Sequence, residues 1–243
     1  MLFCAQVHTY VLIELAQSGK SLVVDSTAAR LLDAAERLFG EHGYDGVGMR
    51  MLAQAARVNL GAATYHFGSK KALYVETFLR RFRSVNRARA ELLDLAERAA
   101  GSAAPELEQI VEALVRPSFL AGLEHPAFNR LLARTLVAPP PFLRAVLRRE
   151  LEPSMQRFVQ ALQRALPALP VSVLQLRMAL VSGALMMVAV RVASLPRVRD
   201  AARERATLSE LVRFASSGLA SAAASSGAEL SFLDRASAPA RRA

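Results

Sequence analysis

The sequence predicts an all-α protein: a small N-terminal three-helix domain followed by a larger helical bundle. Three observations point there. Apolar residues recur at helical spacing along almost the whole chain. No segment shows the sustained alternation of β-branched residues that a half-buried strand needs. Glycine and proline punctuate the periodic stretches at intervals of about one helix, and no internal repeat is present.

Residues 1–25 carry the apolar run Tyr10-Val11-Leu12-Ile13, but no basic leader and no small-residue cleavage site. They read as a poorly ordered extension rather than a secretory signal. Ser26 or Thr27 can cap a first helix, in which Leu31, Ala35, Leu38 and Phe39 fall at i, i+4, i+7 and i+8 and form one apolar stripe. Gly43 supplies the left-handed stop. Residues 48–56 form a short helix, Arg57-Val58-Asn59 a turn, and residues 60–67 a second short helix, which together make a helix-turn-helix over about 48–67.

Ser69 caps a long helix from Lys70 into residues 96–100, with Leu73, Phe78, Leu79, Phe82 and Val85 on its buried side. Gly101-Ser102-Ala103-Ala104-Pro105 breaks it. Pro105 begins the next helix, Leu107, Ile110, Val111 and Leu114 face inward, and Pro117 kinks or ends it. Pro126 opens a helix through Leu131, Leu132 and Leu136, and Pro139-Pro140-Pro141 forces an extended loop. Residues 142–166 read as one helix interrupted at Pro153. An apolar helix over 172–194 follows Pro167 and Pro170 and stops at Pro196, a last helix spans 207–224, and residues 225–243, rich in Ser and Ala, are expected to be a disordered tail.

Composition is that of a soluble globular chain: of 243 residues, 53% are hydrophobic, 21% charged and 6% aromatic. Cys4 is the single cysteine, so neither a disulfide framework nor a cysteine zinc site can form, and the cytoplasm is the natural setting. The formal charge of +10 favours a polyanionic partner. The run 178–190, bracketed by Arg177 and Arg191, is the most apolar in the chain, but it falls short of the roughly 20 residues that cross a bilayer. It reads as the inner helix of a bundle, and no membrane partner is expected.

Each residue of the helix-turn-helix has a physical use. Ala53 is small where two helices cross, Val58 plugs the turn, and Asn59 can accept a backbone N–H as N-cap. Gly61 and Ala62 leave the first turn of the second helix uncrowded, so its free N–H groups can approach phosphate. Tyr65, His66 and Lys70 can bond phosphate oxygens, which positions a protein on duplex DNA without reading sequence. Asn59, Leu60, Ala62 and Thr64 are placed to meet base edges in the major groove.

From Arg30 to about Phe82 the chain resembles the N-terminal domain of TetR-family transcriptional regulators. The resemblance rests on Ala34-Ala35 with Leu38-Phe39, Gly43-Tyr44, Leu52-Ala53, Val58, Tyr65-His66-Phe67 and Ser69-Lys70-Lys71-Ala72-Leu73. It implies a DNA-binding domain over 26–84, a ligand-binding and dimerisation domain over 85–224, and DNA contacts at Arg50, Asn59, Leu60, Gly61, Ala62, Thr64, Tyr65, His66 and Lys70. Two positions depart from the family pattern. Arg57 replaces the usual turn glycine, and Val47-Gly48 stands where hydroxyl residues often cap the first helix of the motif. The wording of 58–60 and 65–70 is similar to a subgroup that includes regulators of fatty-acid metabolism, which implies a lipophilic acid or acyl thioester as effector.

In the second domain, Phe119, Phe128, Leu132, Leu136, Met155, Phe158, Met178, Met186 and Met187 are the expected walls of a ligand cavity, methionine being adaptable in shape. A stripe of Met and Phe at helical spacing equally describes ordinary core. Arg134 and Arg191 either hold an acidic head group or are solvated. Gly183 and Ala184, with Ala215 and Gly218, are small enough for helices to meet closely across the two-fold axis of a homodimer. Reading two half-sites of a (pseudo)palindromic double-stranded operator requires such a dimer.

Catalysis finds no support in the residues. His8, His42, His66 and His125 are scattered, none sits at a metal-ligand spacing, and no phosphate-cradling glycine loop or nucleophile elbow appears. No enzyme, metal or cofactor is expected. The expected function is a ligand-responsive, DNA-binding repressor, and the rival is a helical interaction or lipid-binding bundle that has lost DNA binding.

Overall fold

The computed structural model describes residues 26–193 and 200–222, all of them helix or short connection with no strand among them. The extension 1–25, the stop at Pro196 and the tail 225–243 lie outside the described residues. The helices are α1 Ser26–His42, α2 Met49–Ala55, α3 Leu60–Phe67, α4 Lys70–Ala100, α5 Leu107–Glu124, α6 Pro126–Val137, α7 Arg144–Ala165, α8 Val171–Ala193 and α9 Ala201–Ala220. A short 3-10 turn, Pro141–Leu143, leads into α7.

The local signals act where the sequence puts them. Gly43 ends α1 at φ 74°, and its N–H bonds Phe39 O at 2.9 Å. Ser69 Oγ accepts from Ala72 N at 3.1 Å and starts α4, whose residues Leu73, Phe78, Leu79, Phe82 and Val85 are buried. Other boundaries move. Pro105 lies before the N-cap, Glu106, instead of within the first turn of α5, and α9 begins at Ala201, where Asp200 Oδ1 accepts from Ala202 N at 2.9 Å. The aspartate cap lies ahead of the apolar periodicity, which is why periodicity alone started this helix late.

Neither internal proline breaks its helix: α5 runs through Pro117 and α7 through Pro153. A proline removes one N–H and crowds the carbonyls of the preceding turn. Here α4 supplies side-chain donors to both broken turns. Arg89 Nε donates to Leu114 O at 2.9 Å and Asn86 Nδ2 to Glu150 O at 3.2 Å, each carbonyl standing three residues before the proline. Arg89 and Asn86 are themselves joined at 3.3 Å. The sequence allowed a kink or an end at Pro117 and expected an interruption at Pro153, because donors from another helix are invisible in a local window.

Three buried clusters stack along the molecule. The smallest, Leu31, Ala34, Ala53, Ala56 and Ala63, holds α1, α2 and α3 together, with Val58 packed against it. The middle cluster includes Phe39, Tyr74, Phe78, Phe82, Phe128 and Leu131, so α1, α4 and α6 share one core and α4 crosses residues 84–85 unbroken. Tyr74 Oη and Thr135 Oγ1 lie 2.9 Å apart inside it, and Glu36 ties α1 to Arg80 at 2.9 Å and to Arg81 at 3.3 Å. α1 meets α6 at Gly40, where a Cβ would stand 2.8 Å from Ala127 O and 3.3 Å from Leu131 N. Only glycine permits that approach.

The third cluster joins Leu93, Ile110, Leu114, Phe119, Phe158, Leu162, Leu174, Met178, Leu185, Leu211 and Leu219 from α4, α5, α7, α8 and α9. The inner-helix reading of α8 needs correction. Leu174, Met178, Val181 and Leu185 enter this core, but Leu176, Leu180 and Met187 on the other side are exposed. The helix spans 171–193, within one residue of the 172–194 expected. Val171–Val188 is long and apolar enough to cross a membrane by length and composition, yet its buried stripe is shared with four neighbouring helices. Its apolar character all round reflects one face in the core and one face left without a neighbour among the described residues.

Candidate nucleic-acid interface and adjoining cavity

α3 is short and held at two points, Ala63 and the partly buried Phe67. Ala63 is 0% exposed and locks the helix onto α1 and α2, while Leu60, Gly61, Thr64 and Tyr65 face solvent, Tyr65 at 87%. Leu60 with Thr64, and Gly61 with Tyr65, stand four residues apart and so lie in line along the outer surface of the helix. Ala62 and His66 are half-buried.

The N-terminus of α3 is built as its residues suggest. Asn59 takes an extended conformation and its Oδ1 accepts from Ala62 N at 2.6 Å. A Cβ on Gly61 would come within 3.3 Å of that same oxygen, so glycine keeps the cap uncrowded. Arg57 has φ 55°, a left-handed conformation that costs a non-glycine residue about 1 kcal/mol. Gly48, the N-cap of α2, gives no side-chain hydrogen bond. Arg50, in the first turn of α2, is exposed.

At the far end, Gly68 turns the chain at φ 69° with its N–H on Thr64 O at 2.7 Å. Lys70 opens α4. Its Nζ donates to Tyr44 O at 3.1 Å and stands 4.1 Å from the centre of the Tyr44 ring, so the ammonium folds back onto the loop after α1. Tyr65 and His66 rings meet edge to face at 5.5 Å.

A cavity of about 110 Å³ lies where α4, α5, α6, α7 and α8 converge. Of the expected walls, Phe128, Leu132, Leu136, Met155 and Met186 line it. Phe119, Phe158 and Met178 do not, because their helical phase turns them into the third core cluster, and Met187 is 64% exposed on the outer face of α8. Arg134 is exposed and donates to Glu41 O at 3.2 Å, away from the cavity, and the side chain of Arg191 lies outside the described residues.

The cation that does line the cavity is Arg89, 8% exposed, with Ser118 and Asn129 beside it. Burial pushes its pKa down to about 10. Sequence reasoning missed Arg89, although it stands in phase with Phe82, Val85, Leu92 and Ala96 on the buried stripe of α4. A charged residue in step with an apolar stripe was the available signal.

Of the small residues expected at a dimer surface, Gly183 and Gly218 are exposed and Ala184 is half-buried. Ala215 is a correction: at 1% exposed it packs within its own subunit. Its neighbour Phe214 is the residue that points outward.

Residues 31–77 match the family model described as bacterial regulatory proteins, tetR family, and residues 108–218 match the tetracyclin repressor-like C-terminal domain. Over 50 residues, 20% of this chain and 23% of the relative, the sequence is 50% identical to the HTH-type transcriptional regulatory protein RaaS of Mycobacterium tuberculosis. Over 110 residues, 45% of this chain and 48% of the relative, it is 31% identical to the HTH-type transcriptional repressor NicS of Pseudomonas putida. The matched segments thus span less than half the length of these curated relatives. Among solved structures, a TetR-like transcriptional regulator from Rhodococcus sp. RHA1 superposes with a TM-score of 0.59 at 21% identity, covering 83% of this chain and 100% of that one. A TetR-family member from Streptomyces coelicolor gives 0.57 at 23%, covering 77% and 90%. These likenesses establish the fold.

Proposed function

Because the chain belongs to the TetR family of bacterial regulatory proteins, we propose that it is a cytoplasmic, homodimeric repressor of transcription. In this reading α3 enters the major groove of a (pseudo)palindromic double-stranded operator, and a small lipophilic molecule, a fatty acid or acyl thioester by the subgroup resemblance, releases it. The carrying observation is α3 itself: Ala63 and Phe67 fix it, its N-terminus is capped and uncrowded, and its outer surface is left to solvent.

Leu60, Gly61, Ala62, Thr64 and Asn59 meet base edges or the adjoining backbone, while Arg50, Tyr65, His66 and Lys70 hold phosphates. Lys70 reaches a phosphate by leaving Tyr44, a contact on the rim of the same surface. The exposed side chains Leu176, Leu180 and Met187 of α8 and Phe214 of α9, with Gly183 and Gly218 among them, support pairing with a second copy through these two helices. The effector acts by binding more tightly to the arrangement of the pair that no longer fits two successive grooves, since only differential affinity shifts such a population. No cofactor, catalysis or membrane enters this mechanism. The repressor direction follows the name of the NicS relative.

Anisotropy titration of the full chain against the promoter DNA beside its own gene, at two salt concentrations, tests the reading, together with its mass in solution by sedimentation. Salt-sensitive binding by a dimer is expected. A strict monomer, or no binding at low salt, overturns it and leaves the helical interaction or lipid-binding bundle.

A further inference from the structure

We propose that the cavity beneath α6 selects a free carboxylate, holding its oxygens on Arg89 and the Asn129 amide with a short apolar body behind. The inference rests on the reading of this cavity as the effector site, and it narrows that reading to a small acid in place of a long-chain or thioester-linked one.

Two residues that line this space carry donors without an anion. Arg89 Nε, Nη1 and Nη2 donate to Leu114 O at 2.9 Å, Asn86 Oδ1 at 3.3 Å and Ser118 Oγ at 2.8 Å, all neutral acceptors. Among the described residues no carboxylate pairs with it, and burial is the one influence on its titration. Its lowered pKa of about 10 still leaves it charged at neutral pH. A buried cation with no counter-ion is costly to keep, and an anionic guest removes the cost. Asn129, 4% exposed and lining the same cavity, carries a buried Nδ2 with no hydrogen-bond partner. A buried donor without an acceptor calls for one. A carboxylate brings acceptors only, enough for a guanidinium and an amide together.

The remaining wall is apolar: Phe128, Leu132, Met155, Leu185 and Met186. The space, about 110 Å³, is somewhat smaller than the roughly 150 Å³ that encloses benzene, so it suits an acid of about four to five heavy atoms. A thioester lacks the charge, and its carrier exceeds the space.

The test uses the full chain without DNA. Straight-chain carboxylates of two to ten carbons and the primary alcohols of matching length are titrated calorimetrically, with thermal shift in parallel. Expected is binding of the shorter acids, with the matched alcohols at least about tenfold weaker, as loss of a charge-assisted pair implies. Asn129→Asp places a fixed negative charge in the cavity and Arg89→Met removes the cation. Each should weaken the acid at least about tenfold and the alcohol by much less, so that the acid-to-alcohol ratio falls. Should either variant fail to fold, the acid-to-alcohol ratio of the unaltered protein decides. Equal binding of acids and alcohols, no binding of either, or undiminished acid affinity in both folded variants overturns the proposal. A fluorescent-operator arm separates the two readings. Acid binding without operator release sinks the effector role and keeps the carboxylate site, whereas release by acids and alcohols alike sinks the carboxylate site alone.

Discussion

At α3 the polar groups point outward and the helix start is satisfied from three residues away, Asn59 to Ala62. In the cavity they point inward, and Arg89 reaches partners 25 and 29 residues off, while the Asn129 amide nitrogen finds none. The difference separates two ways of building a site. A surface that must meet a large rigid polymer is made by leaving residues out of the core, and a chamber for a small molecule is made by burying groups the core cannot satisfy. The first needs local geometry only. The second needs the whole bundle, since five helices supply its walls.

The contrast holds only if the two regions are mechanically joined, and the joint is Gly40 on α1 against the backbone of α6. Gly40→Val puts methyl groups where a Cβ already stands 2.8 Å from Ala127 O, so it should cost about 3 kcal/mol, read from urea unfolding. An unchanged midpoint would show that the helices can part freely, and the two regions would then be independent.

Next in size is Lys70→Ala. If Lys70 exchanges Tyr44 for a phosphate, operator affinity falls about tenfold for every sequence and the salt dependence flattens by about 0.9 in slope. A lost melting temperature with an unaltered slope would assign Lys70 to the Tyr44 contact and move it out of the outward-facing group. A smaller effect of opposite sign is expected for Arg57→Gly, since relief of the left-handed turn at φ 55° should raise stability by about 0.5–1 kcal/mol, offset in part by the freer unfolded chain.

The smallest effect concerns His125, which both ends α5 and begins α6 between the two regions. Burial, reinforced by Arg81, holds its pKa below the ordinary 6.5. The unfolded chain therefore takes up the proton first, and stability declines as pH falls through 6.5 toward the lower folded value. Melting curves between pH 7.5 and 5.5 should show that decline, and His125→Gln should flatten it. Equal slopes would place the acid sensitivity elsewhere.

Much of the reading surface was legible in the sequence because its rules are short-range. The cap at Asn59, the cap at Ser69 and the stop at Gly43 each depend on a few neighbouring residues. What escaped was set by residues distant in sequence. Pro117 and Pro153 stayed helical because Arg89 and Asn86 reach them from α4. Phe119 and Met178 share the residue types of cavity walls, yet helix phase sends them into solid core, and Ala215, small enough for a subunit seam, went inside. Residue type sets what a position can do, and the phase of the helix decides which neighbour it does it to.

Gly40 gives the molecule a lever arm. Its fulcrum puts no side chain between the backbones of α1 and α6. Leu31, which packs beside Ala63 under α3, lies nine residues along α1, about 13 Å away at 1.5 Å per residue. A tilt of about five degrees at the fulcrum therefore carries that end by about 1 Å, more than the half-ångström range within which N–H···O bonds hold good. Phe128 and Leu132 of α6 line the chamber, so α1 alone stands between that stretch of the chamber wall and the bed of α3.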